Sequence, residues 1–275
     1  MEAYTDFAKV YDTFMDDTPY EEWAKYIAGL LKSYAAVKAK PTGKKQDNAD
    51  KMRMDAVSSE RKVVVDLGCG TGTLTELLSE AGYDMIGIDN SQEMLNIALA
   101  KKEKSGKEIL YLQQDMREME LFGAVGAVIS VCDSLNYLLE EEDIRKVFML
   151  VNNYLLPGGI FLFDFNTVYK YETVIGDTTI AENREDCSFI WENYYNAEAQ
   201  VNEYDLTIFA KEGELFRRFM ETHYQRGYTP ERMRTLLEEA GMKFVTAIDA
   251  DTHGEITAES ERIYMIAREA GKEPV

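Results

Sequence analysis

Between residues 63 and 165 five short runs rich in β-branched and aromatic residues alternate with stretches of helical apolar spacing, a rhythm that a parallel sheet covered by helices accommodates. The runs are VVVDL (63–67), DMIGID (84–89), EILYLQ (108–113), AVGAVISV (124–131) and GIFLFDF (159–165). Helices are predicted between them at about 72–80, 91–102 and 140–155. Ser91 stands as an N-cap ahead of Met94, Leu95 and Ala98, and Gly106 lies past the end of the same helix.

The first run leads into Asp66-Leu67-Gly68-Cys69-Gly70-Thr71-Gly72. Glycines there let backbone N–H groups approach a ligand without Cβ interference, at the carboxyl edge where open α/β sheets bind ligands. Asp89 ends the next run about twenty residues on, where an acidic side chain accepts hydrogen bonds from both hydroxyls of a ribose. A nucleoside-containing ligand is therefore expected. A dinucleotide competes for the same pattern, but its fingerprint needs a third glycine where this chain has Thr73. Asp66, two residues before the first glycine, would repel a pyrophosphate and tolerate an ammonium group.

In this order, residues 63–164 resemble the motif series of the class I S-adenosylmethionine-dependent methyltransferases. The resemblance implies an α/β fold, a doubly wound, seven-stranded Rossmann-like methyltransferase sheet, with S-adenosyl-L-methionine as cofactor. It implies that the loop of Asp66, Gly68, Cys69, Gly70 and Gly72 holds the methionine portion, and that Asp89, with Asn90 beside it, holds the ribose. Asp115 would meet the adenine amino group, with Met116 packed on the ring. The segment Cys132-Asp133-Ser134-Leu135-Asn136-Tyr137 occupies the position where methyl group and acceptor meet, and Leu156-Pro157-Gly158-Gly159 matches the opening of the fifth strand. The N-terminal pattern AYTDFAKVYDTFM followed by PYEEW is similar to a bacterial small-molecule-type subgroup whose N-terminal aromatics close over the cofactor. Tyr11 and Trp23 are the positions carried over.

The flanking segments fit one elaborated domain. Residues 1–35 carry apolar positions at helical spacing and predict a lid of two amphipathic helices split near Pro19. Residues 36–62 form a basic insertion, with eight Lys/Arg against four Asp/Glu from residue 38 onward and no sustained apolar period; a flexible loop is expected. A cofactor-binding core follows at 63–175. Between Cys187 and Arg226 the period becomes two, with turn signals at 196–200 and 211–214, which predicts an antiparallel β-meander cap over 180–226. Residues 227–275 add a helix opening at Thr229-Pro230 and closing at Gly241, then two strands at about 243–250 and 261–267 that complete the sheet.

Catalytic candidates are few because the chain has only two histidines. His223, on a meander strand, and Tyr137 are the candidate proton acceptors. Asp133 and Asn136 either shape the loop before the helix at 140 or contact the acceptor, and Arg226 either pairs with carboxylates or binds an anionic substrate. Cys69 reads as a small packing residue, since no His or Lys lies near it in sequence to activate a thiolate. Three scattered cysteines exclude a disulfide framework or zinc cluster, and no metal is expected.

The formal charge of -20 repels polyanions, so nucleic acid is a disfavoured partner and a small-molecule acceptor is favoured. No apolar run is long enough to cross a bilayer, and the N-terminus lacks the pattern of a secretory signal, which makes the cytoplasm the expected compartment. Methyl transfer to N or O is the leading reading. A protein or RNA target reached through residues 38–62, a nicotinamide oxidoreductase and a non-catalytic nucleoside-binding module are the alternatives. Asp89→Ala should weaken binding of the methyl donor by at most a few kcal/mol, the cost of losing charged hydrogen bonds. Equilibrium dialysis checks this, and unchanged affinity would remove Asp89 from the site.

Overall fold

The computed structural model describes residues 7–34 and 63–272. Seven strands form a mixed sheet: β1 (Val63–Leu67), β2 (Asp84–Asp89), β3 (Leu110–Gln113), β4 (Val125–Ser130), β5 (Leu155–Asn166), β10 (Lys243–Asp249) and β11 (Arg262–Arg268). Their order is β3-β2-β1-β4-β5-β11-β10, parallel through β5 and antiparallel at β11 and β10. The order reverses between β1 and β4, so the loops after both strands open onto one crevice.

Period-two alternation divides the core between the two faces of this sheet. Val65, Leu67, Val128, Phe161, Phe163 and Met265 pack with Val147 and Phe148 of α5 (Glu141–Tyr154) and Leu236 of α6 (Pro230–Glu239). Their neighbours Val64, Ala127, Ile160, Leu162 and Ile266 pack instead with Ile27 and Leu31 of α2 (Tyr20–Tyr34) and Leu78 of α3 (Thr73–Glu80). Asp66 and Asp164 fall on this second face, interrupting otherwise apolar strands at the ligand-bearing edge. The remaining helix, α4 (Gln92–Ser105), begins as predicted, with Ser91 Oγ accepting from the Met94 amide, and ends at left-handed Gly106.

The cap is a four-stranded antiparallel sheet, β6 (Thr179–Asn183), β7 (Cys187–Asn196), β8 (Val201–Glu212) and β9 (Leu215–Arg226). Strand β6 has no counterpart in the sequence reading because its side chains are largely exposed and carry no apolar alternation. The single π turn at Lys170–Ile175, which buries Tyr171 and Ile175, has no counterpart in the sequence reading either. Beneath the cap lies α1 (Ala8–Phe14): Phe7, Val10 and Phe14 pack against Tyr204, Leu206 and Ile208. The basic insertion at 36–62 lies outside the described residues.

One expectation changes and one alternative narrows. Strand β5 starts at Leu155 rather than 159: β4 pairs Val125 with Leu155 and Ala127 with Ile160, so Leu156-Pro157-Gly158-Gly159 is a bulge inside the strand. A Cβ on Gly159 would sit 2.9 Å from the Leu156 carbonyl oxygen, which explains the glycine. Asn136, read as either a loop-shaping residue or a substrate contact, is 0% exposed and engaged by backbone, which leaves the structural role. Its Nδ2 donates to the carbonyls of Asn166 (2.9 Å) and Arg226 (2.7 Å), and its Oδ1 accepts from the Asn166 amide (2.9 Å). One amide thus joins the ends of β5 and β9 to the loop after β4 and seats the cap on the core. Asn136→Leu should destabilise the fold by about 2–4 kcal/mol through the buried backbone groups it strands. Urea unfolding measures the loss, and a change below about 0.5 kcal/mol, the range of an ordinary surface substitution, would contradict the assignment.

Candidate active site

The chain leaves β1 through a loop built on positive φ, with Gly68 at 74° and Gly70 at 53°. At Gly68 a Cβ would collide with Ser134 Oγ at 2.4 Å, whereas at Gly70 it would enter open space. The first position needs glycine for packing and the second leaves room for a ligand. Asp89 clamps the loop. Its Oδ2 accepts from the Gly70 amide and its Oδ1 from the Ser91 amide, both at 2.8 Å. Burial pushes its carboxyl up from the ordinary range, opposed by these N–H groups. Asp66, buried on the other side of the loop, accepts from Thr75 Oγ1 at 2.6 Å. Burial pushes it up to about 7; the Thr75 hydroxyl works against that shift and the charge of Asp89 adds to it.

Two cavities meet at Gly68. The larger, about 380 Å³, is lined by Asp89, Asn90, Asp115, Met116, Ser134 and Tyr137 among others. The smaller, about 40 Å³, is lined by Asp66, Cys69, Gly70 and Cys132 from the core and by Tyr11 and Tyr20 from the N-terminal helices. Helix α1 is latched over the smaller one. Asp12 accepts from Thr71 Oγ1 at 2.7 Å and pairs with Lys101 at 2.7 Å, while Lys101 reaches Thr73 Oγ1 at 2.6 Å. Asp115 accepts from the Arg117 amide at 2.8 Å and from its guanidinium, which holds its carboxyl below the usual range. It therefore shapes the turn after β3 as well as lining the cavity.

After β4, Cys132 (φ 62°) and Asp133 (φ 53°) are both left-handed, a conformation that needs external support in residues with a Cβ. Asp164 supplies it: its carboxylate accepts from the Cys132 amide at 3.1 Å and the Asp133 amide at 2.8 Å. Burial pushes Asp164 up to about 6, opposed by Arg262. Beyond this turn Tyr137 and His223 come together. The Tyr137 hydroxyl lies 3.2 Å from His223 Nδ1 and 2.7 Å from the Tyr204 hydroxyl, and the His223 ring stacks on Tyr204 at 4.8 Å.

Residues 64–159 match a family model described as a methyltransferase domain. Over 270 residues the chain is 36% identical to YqeM of Bacillus subtilis (strain 168), a protein provisionally named a methyltransferase, covering 97% of each chain. The chain belongs to the class I S-adenosylmethionine-dependent methyltransferases. A solved S-adenosylmethionine-dependent methyltransferase from Clostridium acetobutylicum ATCC 824 superimposes with a TM-score of 0.81 at 26% identity, covering 98% of this chain and 100% of that one. Over 159 residues the chain is 30% identical to a dTDP-3-amino-3,4,6-trideoxy-alpha-D-glucopyranose N,N-dimethyltransferase of Streptomyces venezuelae, covering 58% of this chain and 56% of that one.

The site of this methyltransferase suits the family's donor: open space faces Gly70, and the carboxylates of Asp66 and Asp89 suit a cationic, ribose-bearing molecule. Among the described residues no cluster of three or more His, Cys, Asp or Glu is arranged for a metal ion, and no helix is long and apolar enough to cross a membrane. Trp23 lines neither cavity. Its ring lies under the Arg262 guanidinium at 4.5 Å, and Tyr20, one helical turn earlier, takes the position expected of it. Arg226 lies at ion-pair distance from Glu141 (3.8 Å), donates to the Leu139 carbonyl at 2.8 Å and covers the Tyr228 ring. Asp133 accepts from Gln225 Nε2. Sequence reasoning missed Tyr20, Tyr204 and Asp164; of these Asp164 carried a signal, as an acid inside the apolar run GIFLFDF.

The raised carboxyls set a pH dependence. With Asp66 at about 7 and Asp164 at about 6, against roughly 4 in an unfolded chain, each is protonated in the fold where the unfolded chain has lost its proton. The stability they contribute is complete below about pH 4 and is lost as pH rises through 6 and 7. Urea unfolding between pH 5 and 8 should show stability falling by up to about 1.4 kcal/mol per pH unit for each proton, and Asp66→Asn should flatten the upper part of the slope. Identical profiles for the two proteins would contradict it.

Proposed function

We propose that this methyltransferase acts on a nitrogen or oxygen atom of a small-molecule acceptor, an amine foremost. When bound, S-adenosylmethionine supplies a methyl group made electrophilic by its positive sulfur. Asp89 would hold the ribose hydroxyls, Asp115 and Met116 the adenine, and Asp66 with the loop from Gly68 to Gly72 the methionine portion. Tyr11 and Tyr20 would cover that end and exclude water.

One observation carries the choice of nitrogen or oxygen: a histidine buried beside the hydroxyl of Tyr137, a residue that lines the larger cavity. Methyl transfer to an amine or hydroxyl requires removal of a proton, and His223 can take it through Tyr137. The acceptor's proton passes to the Tyr137 oxygen as the Tyr137 hydroxyl proton passes to His223 Nδ1. The rest of the protein's task is alignment, which the rigid loops after β1 and β4 serve. An amine acceptor is supported by the Streptomyces venezuelae relative, whose name specifies N,N-dimethylation of an amino sugar. A small molecule is supported by the charge of -20.

Thermal unfolding should shift upward with S-adenosylhomocysteine and not with NADH. Labelled methyl from the donor should enter a low-mass product in an extract of the source cells, and Tyr137→Phe should slow that transfer by about 10²–10⁴-fold with donor affinity unchanged. Label entering only macromolecules would overturn the acceptor class, and full activity of Tyr137→Phe would overturn the proton route.

A further inference from the structure

The face of β9 that carries His223 also carries a buried carboxylate, Glu221, only 5% exposed. Glu221 Oε2 lies 3.3 Å from His223 Nε2, and its other oxygen, Oε1, accepts a hydrogen bond from the backbone amide of Phe7 at 3.0 Å. Phe7 is the residue from which the lid helix α1 starts. A single side chain on the cap therefore touches both the lid and the far nitrogen of the histidine.

We propose that Glu221 is a positioning residue that keeps the proton of neutral His223 on Nε2 and ties the docked lid helix to that choice, a proposal resting on the Tyr137–His223 pair as proton acceptor. The tautomer follows from the groups around the ring. Were the proton on Nδ1, the partial negative charge of a bare Nε2 would sit 3.3 Å from a carboxylate oxygen, a through-space repulsion in a buried site. With the proton on Nε2, that contact becomes attractive, and Nδ1 is left as an acceptor for the Tyr137 hydroxyl. Tyr204 completes the set by donating to the Tyr137 oxygen at 2.7 Å while its ring lies flat on the imidazole.

The same geometry stabilises the imidazolium that forms when His223 takes a proton, because its Nε2–H remains beside Glu221. Among the described residues the titratable groups facing the ring are Glu221 from β9, Tyr204 from β8 and Tyr137 from the turn after β4. Farther along the β9 face, Gln225 engages Asp133 and Tyr171. Among the described residues Glu221 is the carboxylate at ion-pair distance from the imidazole. It is also the link between the lid and the ring: as α1 docks, its first amide settles on the oxygen beside the one that faces His223.

Imidazole ¹⁵N spectra of the full-length protein with S-adenosylhomocysteine test this without an acceptor. Only His223 and His253 contribute, and His253→Gln assigns them. The wild-type protein should show His223 protonated at Nε2 and bare at Nδ1 in its neutral form. Glu221→Gln, whose carbonyl can still accept from Phe7, should move the neutral His223 ring from the Nε2-protonated toward the Nδ1-protonated tautomer and leave the His253 signals unmoved. Glu221→Ala should produce the same shift and, in addition, speed amide hydrogen exchange in α1. A proton on Nδ1 in the wild-type protein, or an unchanged His223 tautomer in Glu221→Gln, would overturn the proposal. Full methyl transfer by Tyr137→Phe would instead remove the proton-acceptor reading and leave the tautomer result standing.

Discussion

The carboxylate of Asp89 holds the active site together before any ligand arrives. By accepting the Gly70 and Ser91 amides at 2.8 Å each, it ties the loop after β1 to the loop after β2. The shape of the glycine turn and the position of the acid are therefore one constraint. Charged acceptors form short, strong hydrogen bonds to backbone N–H groups, and burial removes the water that would compete for them. Asp164 does the same on the other side of the crevice, where two left-handed residues would otherwise lack support. Two carboxylates, the half-buried Asp89 at the end of β2 and the buried Asp164 in β5, thus set the edges of the site.

Helix α1 links this rigid floor to the cap. Its apolar face packs under the meander, and its Asp12 reaches the glycine loop through Thr71 and Lys101. The cap has a separate attachment to the core through Asn136, which binds the ends of β5 and β9 to the loop that also carries Tyr137. The side chain assigned to proton transfer and the amide that seats the cap are neighbours in one short segment, so packing of the cap and geometry of the chemistry are set together.

Much of this was legible in the sequence. The alternation of strands and helices, the cap on Ser91 and the order of acidic and glycine positions from Asp66 to Asp115 are local features, and each strand or turn reports its own pattern. What escaped was relational. Trp23 and Tyr20 both read as helix aromatics, and only the placement of α2 against Arg262 decides which one reaches the cavity. Asn136 reads as a polar loop residue until its backbone partners, thirty and ninety positions away, are seen. Strand β6 carries no apolar alternation to detect. The pairing of Tyr137 with His223 spans 86 positions, and its geometry comes from the fold alone.

On the proposed reading, the clamped glycine turn divides one binding crevice into an adenosyl side and a methionine side. Diffraction from crystals grown with S-adenosylhomocysteine tests it most directly. Density for the adenosyl group is expected between Asp89 and Met116, and for the amino-acid portion across Gly68 toward Asp66 and Tyr11. Density for the compound elsewhere on the protein, or a saturated complex in which the side chain of Asp89 faces away from the ribose, would contradict it.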